Sequence, residues 1–190
     1  MTQSPCLPVA DADWPDDIAE LREGFAGALN VYRTMAHHPA LLAAWTPLRQ
    51  HVVKENALGP ALTEVVILRA GFRLGSAYEW AHHVSRALAL GFSEARINAI
   101  RGVPAISEGV DGMIVQAVDA LLDDHKLSKG QEAALAEAIG RTAVIDLIAM
   151  VGFYSVLGYL LKTYETPIDD AIQQEAQENS ALFSITPPST

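Results

Sequence analysis

Cysteine is nearly missing from this chain. Cys6 stands alone among 190 residues, which excludes a disulfide framework and any dithiol pair and suits a reducing, cytoplasmic compartment. Positive charge is scarce too, with 13 Lys and Arg against 23 Asp and Glu and a net charge of −10. Nucleic acid is not expected as a partner, because neutralising phosphates takes a Lys/Arg surplus. A small anion is still admissible wherever Arg69, Arg73 or Arg86 concentrates positive potential. No apolar run is as clean as the ~20 residues of a membrane span. The longest candidate, residues 144–161, is interrupted by Asp146, Gly152, Ser155 and Gly158. It reads as a buried central helix or a subunit interface, and no membrane partner is expected. Residues 1–13 hold Pro5 and Pro8 and no basic residue, so they lack the charged-then-apolar order of an export signal.

What is present is helix. Hydrophobic residues make up 50% of the chain, helix formers dominate, and no alternating stretch is long enough to predict a strand. Pro15, Asp16 and Asp17 predict a first turn, and Ile18, Leu21, Phe25, Leu29 and Tyr32 continue it at helical spacing towards His38-Pro39. A second helix is predicted over residues 39–55, and Gly59-Pro60 breaks the chain before a third that ends near Gly75. Further helices are predicted over 76–90, 93–102, 109–124, 128–140 and 142–164. The expectation is one all-α domain of seven to eight helices over residues 14–166. A flexible arm, 1–13, precedes it and a C-terminal tail, 167–190, follows.

One segment carries chemistry. On a helix starting after Gly75, Ser76, Glu79 and His83 fall within about 60° of one another. Glu79 and His83, four residues apart, can bond directly. A carboxylate beside an imidazole fixes its tautomer and favours its cation, leaving an acid or base poised near neutral pH. Glu64 lies on the preceding helix and returns to the same face if the Gly75 corner folds the two helices antiparallel. Plainer readings stand beside this one. Ser76 suits an N-cap and Glu79 the acid of its capping box, His83 suits a satisfied core histidine, and Tyr78 and Trp80 suit core or interface aromatics. His82 is turned about 100° from His83 and the HExxH spacing is absent, so no metal site is expected.

Glu64, Ser76 twelve residues later, then Tyr78, Glu79 and His83 together resemble the signature of the alkylhydroperoxidase D (AhpD) and carboxymuconolactone decarboxylase superfamily. The similarity extends through residues 32–39, 87–97 and 145–161. The resemblance implies an AhpD-like helical fold, a homo-oligomer (dimer, trimer or hexamer), no cofactor and a small-molecule substrate. Ser76 and Glu79 occupy the positions that hold the two cysteines of the peroxidase branch. Thiol peroxidation needs a thiolate and a resolving thiol, so disulfide cycling is excluded at this site. The decarboxylase branch carries an acidic residue four before its histidine, which Glu79 and His83 match. Its basic residue two before the histidine is Ala81 here, leaving the substrate open. The resemblance thus implies acid/base chemistry on a small carboxylic acid, lactone or related product of aromatic catabolism. His83 would be the acid/base group, Glu79 and Glu64 would orient or relay, and Ser76, Tyr78 and Arg73 would bind substrate. Loss of both cysteines motivates one alternative, a catalytically lapsed ligand-binding or scaffold oligomer. A peroxidase-type antioxidant working without the thiol pair is the other.

Overall fold

The computed structural model describes residues 6–102 and 108–186, and every regular element among them is a helix. The single helix expected over residues 18–38 is broken into pieces. Two short 3-10 turns, Asp11–Asp13 and Asp16–Leu21, precede α1 (Phe25–Ala28) and α2 (Asn30–Met35). Gly24 and Leu29 are extended and separate the pieces. Weak local propensity at Gly24 and Gly27 yields here to tertiary contacts. Arg33 ties the region together, donating to the carbonyls of Gly27 and Val9 at 2.6 and 2.7 Å. Val9, in the segment expected as a loose arm, is buried; residues 1–5 of that arm lie outside the described residues.

α3 (Pro39–Gln50) begins at His38, whose ring accepts from the amide of Leu41. It runs into a wider π turn over His51–Glu55. α4 (Gly59–Leu74) then enters the core and buries every residue from Thr63 to Gly71. Gly75 stops it in the left-handed region (φ 65°), where a side chain would be strained. The amide of Gly75 bonds to Phe72 O and that of Ser76 to Gly71 O, closing the corner. α5 (Ala77–Ala89) folds back along α4. At the contact a Cβ on Gly71 would sit 3.3 Å from Glu79 Cβ, so the small residue sets how closely the two helices run.

α6 (Glu94–Arg101) and α7 (Gly109–Asp123) pack on α4, α8 (Lys129–Ile139) packs on α7 and α9, and α9 (Arg141–Thr163) runs against α4. By length and composition α9 could cross a membrane, but 56% of its most apolar window is buried inside the protein. Packing against α4 and α8 accounts for the buried part of that window. The segment expected as a tail also packs. It forms α10 (Asp170–Glu178) and α11 (Ser180–Phe183), with Leu182 and Phe183 buried. Ile168, Ile172 and Ala176 lean on the core at helical spacing, while residues 187–190 lie outside the described residues.

Asp169 latches this segment to α5. One carboxylate oxygen accepts from the Asn30 amide at 3.0 Å. The other meets the Tyr78 hydroxyl and His82 Nε2, the latter at 2.7 Å. Asp169→Ala leaves Tyr78 and His82 buried without their acceptor and should cost about 1–3 kcal/mol. Asp170→Ala, one residue on and exposed, should stay within about 0.5 kcal/mol of wild type. Urea denaturation of the two variants checks this, and equal midpoints would contradict the latch.

Candidate functional site

The Gly75 corner brings Glu64 of α4 back beside His83 of α5. His83 Nδ1 lies 2.6 Å from Glu64 Oε2, and Nε2 lies 3.4 Å from Glu79 Oε2 one helical turn away. Each ring nitrogen therefore faces a carboxylate. All three residues are buried, His83 to 2% exposure, and Tyr154 of α9 meets the imidazole edge-on at 5.3 Å between centroids. Burial by itself disfavours the imidazolium, but the Glu64 charge and the bonds from Glu64 and Glu79 outweigh it, so the ring holds its proton above the ordinary histidine range.

Two spaces adjoin this triad. A narrow chamber of about 20 Å³ is lined by Tyr32, Tyr78, Glu79, His83, Arg86 and Tyr154 among others, room for about one water. Its tyrosines stay protonated because burial raises all three, Tyr32 to about 12. A larger open cleft of about 450 Å³ lies beyond, between the π turn, the start of α4 and the end of α5. Glu64 lines that cleft, and Val53 and Arg86 line both spaces. The reactive face thus reaches outside through Glu64, whereas the His83 ring sees only its chamber.

The other expected residues divide. Ser76 is an N-cap, its hydroxyl accepting from the Glu79 amide at 3.4 Å, and it is buried to 1% exposure. The capping box does not close, since the Glu79 carboxylate turns to His83 instead. Tyr78 lines the chamber, but its hydroxyl bonds to Asp169 and to the Val31 amide. Arg73, expected to bind substrate, is held away from the site, donating to Asp119 and Asp123 of α7. Arg69 is spent in the same way, on both oxygens of Asp119 and on two backbone carbonyls. Sequence reasoning passed over Lys54, Tyr154 and Asp169. Only Asp169 had a readable signal, the helical spacing of Ile168, Ile172 and Ala176 around it. Among the described residues no group of three His, Cys, Asp or Glu is placed to hold a metal ion.

The carboxymuconolactone decarboxylase family matches residues 39–123, the stretch that contains the triad and the cleft. The fold is similar to the AhpD core of a peroxidase-related protein from Ralstonia eutropha. That comparison has a TM-score of 0.73 at 16% identity and covers 89% of this chain and 95% of the other. It is also similar to the debrominase Bmp8. The unliganded form superposes with a TM-score of 0.73 at 16% identity over 94% of this chain and 99% of that one. The complex of a Bmp8 variant with 2,3,4-tribromopyrrole gives 0.71 at 17% identity, covering 93% and 98%. Among curated protein sequences none matches.

The triad has two consequences for stability. His83→Ala strands two buried carboxylates without their cation and should cost about 3–5 kcal/mol at neutral pH. The folded chain also binds the His83 proton more tightly than the unfolded chain does. That contribution is therefore full below the ordinary value of 6.5 and fades as pH rises through the raised folded value. Denaturation curves of wild type and His83→Gln measured upward from pH 6 should converge at alkaline pH. Parallel curves would sink the assignment.

Proposed function

We propose that the chain is a decarboxylase-like lyase of the carboxymuconolactone decarboxylase and AhpD-like superfamily, a reading supported by the family match over residues 39–123 and by the fold it shares with an AhpD core. It would carry out cofactor-free acid/base chemistry on a small carboxylic acid, lactone or related product of aromatic catabolism. The observation that carries this reading is a carboxylate with two neighbours of different kinds. Glu64 borders the open cleft and is bonded at 2.6 Å to a buried His83 whose hold on its proton the neighbouring carboxylates strengthen. In this scheme Glu64 passes a proton to or from the substrate, His83 holds or replaces it, and Glu79 keeps the ring oriented. For a decarboxylation, the bond to the departing CO2 breaks, its electron pair stays on carbon, and the Glu64–His83 pair supplies the proton that quenches it. A cleft of about 450 Å³ suits a single-ring ligand, the scale of the tribromopyrrole held by the debrominase.

A panel of small carboxylic acids and lactones, followed by NMR for CO2 loss and for deuterium uptake from solvent, tests the scheme. Glu64→Gln should lower any turnover by about a hundredfold or more. Glu79→Gln should lower it less, because an amide still orients the ring. Dithiol-driven peroxide reduction should be absent in wild type and in Cys6→Ser, burial having pushed the lone thiol up and away from its reactive form. Peroxide turnover that vanishes with Cys6 would reverse the branch. The second reading, a lapsed ligand-binding oligomer, is favoured by one observation. In this conformation His83 is 2% exposed and its chamber admits no organic molecule. Tight ligand binding with no exchange or turnover would select it.

We further propose that the protein is a homo-oligomer joined through α9. Ile145, Ile148, Val156 and Tyr159 remain exposed along that helix, and a Cβ on Gly152 would meet nothing within 4 Å. An apolar stripe with a small residue at its centre suits two copies crossing closely. Sedimentation should give a mass well above the 20.4 kDa chain, falling towards it in Ile148→Asp. A wild-type monomer would refute the interface.

A further inference from the structure

The cleft beside Glu64 is lined by two basic side chains, Arg86 and Lys54. Among the described residues neither Arg86 nor Lys54 makes a hydrogen bond or ion pair, and both line the cleft. The other candidate arginines are committed. Arg69 and Arg73 clamp Asp119, and Arg49 lies over the Phe25 ring at 3.8 Å with its Nε on the Tyr32 hydroxyl. The polar neighbours in the cleft wall are also engaged, with Thr63 donating to Asn56 Oδ1 and Asn56 Nδ2 donating to Val52 O.

His83 lies between Glu64 and Glu79, which leaves Arg86 and Lys54 as the basic side chains that face the cleft. The chain as a whole carries −10 and repels anions at long range, so a half-buried guanidinium kept without a protein partner stands out. A planar guanidinium takes a carboxylate through two parallel bonds, and an ammonium adds a point charge beside it. The rest of the wall, Val53, Pro60 and Leu90, is apolar.

We propose that this cleft is a carboxylate-binding subsite in which Arg86 and Lys54 hold the carboxylate of a small monoanionic ring or chain. The apolar body of that ligand lies on Val53, Pro60 and Leu90, within reach of Glu64. The inference rests on the acid/base reading for its relevance to catalysis, but binding alone tests it. Arg86 also lines the inner chamber, so the group that seats the anion forms part of the wall between substrate and His83.

The probe is 4-fluorobenzoate, titrated against the full chain by fluorine NMR, with 4-fluorobenzamide as its uncharged isostere. The acid should bind saturably and at least about tenfold more tightly than the amide. Arg86→Gln should weaken the acid by about tenfold or more and leave the amide unchanged, and Lys54→Gln should weaken it by a smaller factor. Circular dichroism and the urea midpoint establish folding, and Arg86→Lys replaces Arg86→Gln if the latter unfolds. The lysine variant keeps the charge but loses the fork, and should fall between wild type and Arg86→Gln. Equal affinity for acid and amide, no saturable binding of the acid, or an unchanged affinity in the Arg86 variant each overturns the proposal. Acid binding with no turnover of any carboxylate would defeat the enzyme reading and leave the subsite standing. Turnover of a carboxylate that is undiminished in Arg86→Gln would do the reverse.

Discussion

A buried imidazolium is tolerable only while its carboxylates stay within bonding distance, and that requirement governs how α4 and α5 must lie. Separating Glu64 from His83 by a few ångström would leave charges in a medium that solvates them poorly, at several kcal/mol per ion. The helix pair is held close by features outside the triad. Gly71 admits the backbone of α5, the left-handed Gly75 reverses the chain, and Tyr154 of α9 closes the space over the ring. Apolar packing thus provides the rigidity, and the triad sets the register. A one-residue slip of α5 would present His82 to Glu64 and tear His82 from Asp169.

The two adjacent histidines show how one helix can keep similar side chains in separate circuits. His82 and His83 point about 100° apart. His82 is committed to the Tyr78 carbonyl and to Asp169, bonds that attach the C-terminal helices. His83 belongs wholly to the triad. The arginines are divided in the same manner. Arg69 and Arg73 join α4 to α7 through Asp119, whose carboxyl they hold below its usual range although burial opposes this. Arg86, three residues beyond His83 on α5, was left out of that network.

Much of this was legible in the sequence, for identifiable reasons. The α4–α5 hairpin could be read because its signals are local: Gly75 as a stop, Ser76 as a cap, and the four-residue spacing of Glu79 and His83. Glu64 joined them through the family signature, and the fold places it there. Residues 15–38 were misread as one helix because their apolar spacing is helical, whereas their backbone is set by long-range bonds such as those of Arg33. The C-terminal tail was misread for the opposite reason. Pro167 and the polar composition looked like an ending, yet Asp169 and Leu182 find partners more than eighty residues away. Assigning Arg73 to the substrate failed because sequence cannot say which of several arginines meets an acidic partner first.

The direction of approach to the site follows from where the polar groups ended up. In the thiol branch of the superfamily that the sequence resembles, the two reacting cysteines stand at the positions of Ser76 and Glu79. Here the Ser76 hydroxyl is consumed as a cap under the α4–α5 corner, with Leu74 and Ser76 packed against Gly158 of α9. Glu79 faces inward to His83 rather than out. Neither residue lines the open cleft. The open cleft lies two turns along α5, at the end where Arg86 meets the start of α4 and Glu64. Under the proposed chemistry a substrate enters there, beside the π turn, and the residues of that wall, more than Ser76 and Glu79, select it.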